Sequence, residues 1–290
     1  MTPLEFAQCY LEMDVFLYPQ ELTGPVSGKP GYTPPTGWQH VEASNYRLGA
    51  SAWENGIWSD IYKRLKSKTT VKIRTVEGET VEKDLDQNQL RRHFHPAFVG
   101  KGTPEDIQIA IQLVYRYHKT AFTLEEFVDK NFVGLDCNGF VGNYIQRIMQ
   151  HRTWETADPN HDPGPTTLIR DLLGKKGNRP VTAMKELVSP CIYLLGFCDD
   201  NGHIHDPSAA APKDYGHIMM TNPGTLREAS DGLKIEVVEA TAAGNSKLRH
   251  LEYTIKDCRK ATKGTVFNIE RGSSAPSDKM TVRIAELELS

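Results

Sequence analysis

Gly134-Leu135-Asp136-Cys137-Asn138-Gly139-Phe140-Val141-Gly142-Asn143-Tyr144-Ile145 is the stretch on which the reading of this chain turns. A short apolar run, Phe132-Val133-Gly134-Leu135, leads into Asp136 and Cys137. Beyond them Phe140, Val141, Tyr144, Ile145, Ile148 and Met149 recur at spacings of three and four, the period of a helix with one buried face. Asp136 belongs to the residue types that cap helix N-termini, so Cys137 falls in the first turn. Unpaired N–H groups and the positive end of the helix dipole favour a thiolate there. The competing reading is a small core residue, the usual fate of a cysteine in an apolar helix. What separates the two is whether the rest of the chain supplies a base and a group to orient it.

The chain has 290 residues, enough for one large domain or two smaller ones. Charged residues make up 24% and hydrophobic ones 39%, as in an ordinary globular protein. The net charge of -3, with no long run of one sign, argues against a dedicated nucleic-acid binder. The first residues, Met1-Thr2-Pro3-Leu4-Glu5-Phe6, have no basic region leading into an apolar core, and no segment reaches the ~18 apolar residues of a membrane span. The expectation is a cytoplasmic protein, or one exported by a signal-independent secretion system. Five dispersed cysteines (Cys9, Cys137, Cys191, Cys198 and Cys258) contain no CxxC pair. That suits a reducing compartment, or one functional thiol among buried neutral ones, better than a disulfide framework.

Upstream, Leu4, Phe6, Ala7, Tyr10, Leu11 and Met13 predict a helix. A Pro- and Gly-rich irregular segment over 19–40 follows, anchored by Tyr32 and Trp38. Trp53, Trp58 and Tyr62 suggest a helix with an aromatic core face. Residues 69–83 alternate around Glu77-Gly78 as a hairpin. Thr103-Pro104-Glu105-Asp106 opens an amphipathic helix over 104–118 with Ile107, Ile111, Val114 and Tyr115 on one face. Thr123-Leu124-Glu125-Glu126 reads as a capping box. After the Cys137 helix, a proline-bearing loop over 153–167 is expected to form a rim or lid. Strands are then predicted at Cys191–Phe197, Tyr215–Thr221 and Ile235–Thr241, with β-prone segments at 248–256 and 265–270. Helices first, a nucleophile-bearing helix, then consecutive antiparallel strands make an α+β layout.

A thiol needs a base, and the base needs an orienting partner. His217 is the candidate base, because it sits in a strand-like run directly after Gly216, which allows close approach. Glu239 on the next strand is the candidate orienter; Asp214 and Asn222, flanking the His217 strand, compete for that role. A cysteine on a helix, with base and orienter on the sheet packed against it, is the papain-like arrangement.

These residues carry a resemblance. Asp136-Cys137-Asn138-Gly139-Phe140-Val141 resembles the Asp-Cys-Ser-Gly-Phe/Leu-Val nucleophile motif of the NlpC/P60 cysteine peptidases. Cys191–Phe197 resembles the strand before their histidine. Gly216-His217-Ile218 resembles their Gly-His-Val motif, and Val237-Val238-Glu239-Ala240 the strand of the third polar residue. The resemblance spans about residues 105–270. It implies an NlpC/P60-like catalytic domain over 101–290 behind an N-terminal region, 1–100, of unassigned role. It implies catalytic Cys137, His217 and Glu239, with the Cys137 N–H in the oxyanion site. The implied substrate is an amide bond, in peptidoglycan stem peptides above all. The chain departs from the family at Asn138, where Ser is usual, and at Glu239, where His, Asn or Gln is commoner. The Tyr-x-x-Gly-Gly segment before the nucleophile is missing, with Tyr115 and Tyr117 the nearest substitutes.

No cofactor is called for: Gly174-Lys175-Lys176-Gly177 lacks the spacing of a phosphate loop and a preceding strand. The pairs His203/His205, with Asp206, and His93/His95 could face a metal from a strand. Without a Cys pair or an HExxH helix they read better as loop histidines. Alternatives to a wall hydrolase are a deamidase, protease or acyltransferase acting on protein or lipid, and a catalytically silent binding module.

Overall fold

The computed structural model describes residues 1–21, 33, 35–45, 52–118, 122–129, 133–149, 164–174, 178–204, 216–241, 247–272 and 279–288. Tyr32, His205, Asp206, Asp214, Lys175–Gly177 and most of the 153–167 loop lie outside them. The protein is α+β, and its contacts divide it into two compact units. One comprises Phe6–Gly139 with Ala242–Leu248. The other comprises Met1–Glu5, Phe140–Thr241 and Arg249–Ser290. No helix among the described residues is long and apolar enough to cross a membrane.

In chain order the elements that lie wholly or mostly in the first unit are α1 (Pro3–Leu11), β1 (Met13–Leu17), β2 (Gly37–Val41), α2 (Ala52–Tyr62), β3 (Thr69–Arg74), β4 (Thr80–Leu85), α3 (Gln87–Phe98), α4 (Pro104–Tyr117) and α5 (Leu124–Asp129). The capping signals act as their residue types require. Thr103 Oγ1 accepts the Asp106 N–H while Asp106 Oδ2 accepts the Thr103 N–H, with Pro104 in the first turn. Thr123 and Glu126 make the same reciprocal pair at α5.

Helix α4 is buried around nearly its whole circumference rather than along one stripe. Its glutamines explain how a polar face can be buried. Gln108 bonds both the N–H and the carbonyl of Arg74, and Gln112 does the same for Lys72. Two side chains one helical turn apart therefore satisfy the edge of β3 that β4 leaves open.

Four expectations are corrected in this unit. Met13 opens β1 instead of extending α1, and Trp38 lies in β2 instead of an irregular segment, because the two strands pair Met13 with Val41 and Phe16 with Trp38. Tyr62 is exposed rather than core. The 93–95 segment is helical, in α3, so His93 and His95 cannot share a side. His93 is buried, its Nδ1 2.6 Å from Asp106 Oδ1, and His95 is exposed.

Next comes α6 (Cys137–Tyr144), whose first turn belongs to the first unit and whose remainder belongs to the second; a π-helical turn, Ile145–Met149, continues it. Two of its glycines permit close approach. A Cβ on Gly139 would strike the Gly100 carbonyl, and one on Gly142 would strike the backbone of Gly164 and Pro165.

The second unit adds α7 (Ile169–Gly174), β5 (Asn178–Pro180), β6 (Tyr193–Phe197), β7 (Ile218–Thr221), β8 (Arg227–Ala229), β9 (Gly232–Ala240), β10 (Leu248–Ala261), β11 (Gly264–Arg271) and β12 (Lys279–Leu287). The expected strands pair, and their sheet closes. The order β10-β11-β12-β6-β7-β9 is completed by pairing of β9 with β10, giving a six-stranded barrel with β8 and β5 appended. Alternate residues of each strand point inward. The buried cluster follows that parity: Tyr193 and Leu195, Met219, Ile235 and Val237, Tyr253 and Ile255, Phe267 and Ile269, Val282 and Ile284. Extending the rows one step reaches His217 before β7, Glu239 on β9 and Arg271 on β11. The apolar filling of the barrel gives way to polar side chains at this end.

Candidate active site

His217 sits one residue before β7, rather than within it. Its carbonyl accepts the Phe197 N–H at 2.9 Å, which continues the β6–β7 pairing and holds the histidine backbone in strand-like position. The Phe197 ring meets the imidazole edge to face, with centroids 4.9 Å apart and planes at 78°. The imidazole Nε2 lies 2.7 Å from Glu239 Oε2. The register of β7 against β9, Met220 opposite Val238, brings the two side chains together.

Glu239 is fully buried, and both of its oxygens are engaged. Oε1 accepts the Tyr253 hydroxyl at 2.9 Å, and Arg271 Nη2 lies 3.0 Å from Oε1 and 3.2 Å from Oε2. Arg271 Nε in turn donates to the Tyr253 hydroxyl at 2.7 Å. Burial pushes the Glu239 carboxyl up, but His217, Arg271 and Tyr253 outweigh it and hold it below the usual carboxylate range. Glu239 is therefore an ionised acceptor, which favours Nε2–H on the imidazole and gives any base chemistry to Nδ1.

Of the two competing orienters, Asn222 makes no hydrogen bond to His217; its Oδ1 is buried and unpartnered, and its backbone N–H donates to the Glu236 carbonyl. Asp214 lies outside the described residues.

Cys137 is the first residue of α6 and is buried, 6% exposed. The segment before it is held on two sides: Leu135 N–H donates to the Asn45 carbonyl and Asp136 N–H to the Gly100 carbonyl, both at 2.9 Å. Asp136 caps the helix by accepting the Gly139 N–H at 2.5 Å, and Lys101 Nζ lies 2.8 Å and 2.6 Å from its two oxygens. Burial raises the Asp136 carboxyl above its ordinary value even against the Lys101 charge.

Lys101→Met is therefore expected to cost about 3 kcal/mol, because it leaves a buried carboxylate without its cation. Asp136→Asn is expected to cost about 1 kcal/mol, since asparagine caps equally well and Lys101 can extend toward water. Because the folded carboxyl binds its proton more tightly than the unfolded one, Asp136 withdraws stability as pH rises from its ordinary 3.8 through the raised value. Urea denaturation at pH 7 and pH 4 reads both effects. Equal losses for the two variants would contradict this account of the turn.

The remaining cysteines have different surroundings. Burial pushes the Cys198 thiol up to about 11, and burial together with Glu286, 3.1 Å from its sulfur, raises Cys191. His203 is exposed and bonded to Asp199. Among the described residues no group of three or more His, Cys, Asp or Glu side chains is arranged to hold a metal ion.

The sequence reading did not single out Tyr253, Arg271 and Phe197, which surround the His217–Glu239 pair, or Lys101, which pairs with Asp136. A signal existed for two of them: Tyr253 and Arg271 keep the inward parity of Ile255 and of Phe267 and Ile269, so a cation and a phenol stand in apolar rows. No protein-family model matches the chain, and neither the curated proteins nor the solved structures give a match.

Proposed function

We propose that this protein is a cysteine hydrolase of amide bonds, with Cys137 as nucleophile, His217 as base and Glu239 as orienter. The proposal extends to an NlpC/P60-like, papain-like catalytic domain acting on peptidoglycan stem peptides. The observation that carries it is the 2.7 Å bond between His217 and a fully buried, ionised Glu239. A carboxylate taken wholly out of water beside a largely buried imidazole is a costly arrangement that fixes one ring nitrogen and assigns any proton transfer to the other. The nucleophile motif, the histidine strand and the acid-bearing strand follow in the order that such a site requires.

In the proposed reaction Cys137 Sγ attacks the amide carbonyl and His217 Nδ1 takes the thiol proton. The Cys137 backbone N–H, at a helix start, donates to the developing oxyanion. Collapse of the tetrahedral intermediate breaks the C–N bond, and the imidazolium returns the proton to the leaving amine. Water, deprotonated by His217, then hydrolyses the thioester to a carboxylic acid and the free thiol. Glu239 stabilises the imidazolium in both half-reactions and keeps its own charge throughout.

Incubating purified sacculi with the protein and analysing the released muropeptides tests the reading. New amine and carboxyl termini are expected with the wild type and none with Cys137→Ala. Termini released equally by both proteins would remove Cys137 from the chemistry. No termini with either would reject the wall substrate.

A further inference from the structure

The barrel end holds two groups whose positions the proposed reaction does not by itself require. Glu239 needs one oxygen for His217, yet its surroundings engage both. Arg271 Nη2 spans the two oxygens, and Tyr253 accepts from Arg271 Nε while donating to Oε1. Tyr253 and Arg271 are directly opposite one another on β10 and β11, so the barrel register itself aligns them beneath the carboxylate. Arg271 is 14% exposed and Glu239 not at all.

We infer that Arg271 and Tyr253 are positioning residues that set how strongly Glu239 binds the His217 ring. Arg271 competes with His217 for the same oxygen, Oε2. It lowers the carboxylate's hold on a proton and, as a nearby cation, also disfavours the imidazolium. Tyr253 removes basicity from Oε1 by donating to it. Together they keep the imidazole a weaker base than a buried His–Glu pair alone would produce, so it can stand neutral and accept a proton near neutrality. This inference rests on the assignment of His217 as the base.

The chemistry of the neighbours agrees. Burial and the Glu239 charge raise the Tyr253 phenol, so it remains a neutral donor. Among the described residues, the titratable groups bonded to Glu239 are His217, Tyr253 and Arg271, from the β7, β10 and β11 sides. From β6 the neighbour of the imidazole is the uncharged Phe197 ring. Of the cationic side chains bonded in this network, Arg271 is the one whose removal changes its charge without removing the base.

The test follows the His217 ring resonances against pH by NMR in the full chain, assigned by comparison with His217→Gln. In Arg271→Met the titration midpoint of His217 is expected to rise by about one pH unit, the size of effect that a charge within a few ångströms produces. In Tyr253→Phe, which keeps the ring and its packing, it is expected to rise by less. Arg271→Lys is expected to return the midpoint toward the wild-type position. The acid limb of muropeptide release against pH should move upward with the midpoint in each variant.

Folding is judged by whether the other histidine resonances keep their wild-type dispersion. Unchanged midpoints in both folded Arg271→Met and Tyr253→Phe would overturn the inference, whatever happens to activity. A midpoint that rises in variants of a protein that Cys137→Ala leaves fully active would uphold the tuning and sink the cysteine mechanism instead. The two failures are thus distinguishable.

Discussion

A Glu239→Ala protein is expected to lose about 3–5 kcal/mol of folding stability, the cost of removing one member of a buried charge pair. That would be a large part of the 5–15 kcal/mol, roughly, that holds a typical domain folded. Three groups lose their acceptor at once: the Arg271 guanidinium, the Tyr253 hydroxyl and the His217 Nε2–H. Arg271 dominates, because its charge cannot be titrated away. Replacing both members of the pair, as Glu239→Leu with Arg271→Met, is expected to recover most of the loss, since no unpaired charge then remains.

The pH dependence follows from the direction of the shift. Glu239 binds its proton less tightly folded than unfolded, where its ordinary value is 4.5. The stability it contributes is therefore complete above about pH 4.5 and is lost as pH falls through the folded value below that. The gap between wild type and Glu239→Gln should accordingly narrow in acid. Urea denaturation at pH 7 and at pH 3 measures both statements. A Glu239→Ala protein within about 0.5 kcal/mol of wild type would contradict the buried-pair account.

His217→Ala is expected to reverse that ranking of effects. The rate of muropeptide release should fall by about 10²–10⁴, the contribution of a positioned general acid–base group. Stability should fall far less than in Glu239→Ala. With the imidazole gone, Glu239 still has Arg271 and Tyr253 on its oxygens, and no charge is stranded. Glu239→Gln should lie between the two on rate, because the neutral amide can accept the Nε2–H bond but cannot stabilise an imidazolium. Rates from purified sacculi, compared with thermal unfolding of the same preparations, separate chemistry from folding. A folded His217→Ala protein that kept more than a tenth of the wild-type rate would remove His217 from the base role.

Several features were legible because they are local. Asp136 before an apolar period of three and four marks a helix start, and Thr103 with Asp106 marks another; each needs only residues within one turn. The strands of the His217 and Glu239 segments were legible from composition, and their pairing from their nearness in sequence. The strands Met13–Leu17 and Gly37–Val41 were missed because each is short and finds its partner across a proline-rich segment. Helix α3 was missed because its apolar positions, Leu90, Phe94, Ala97 and Phe98, are interrupted by Arg91, Arg92 and two histidines. The buried glutamines of α4 were illegible for another reason: they serve the edge of β3, which no helix periodicity encodes.

By itself the sequence determined where α4, α5 and α6 begin, which residues of the expected barrel strands share a face, and that a histidine and an acid stand on neighbouring segments. Those properties depend on residues a few positions apart, where capping, dipole and side-chain alternation act directly. Only the tertiary structure decided that the sheet closes through β9 and β10 and that Arg271 and Tyr253 meet beneath Glu239. Parity assigns a side chain to the inside of a sheet; which strand comes next to it, and at what register, is set by how the apolar rows pack around the whole barrel.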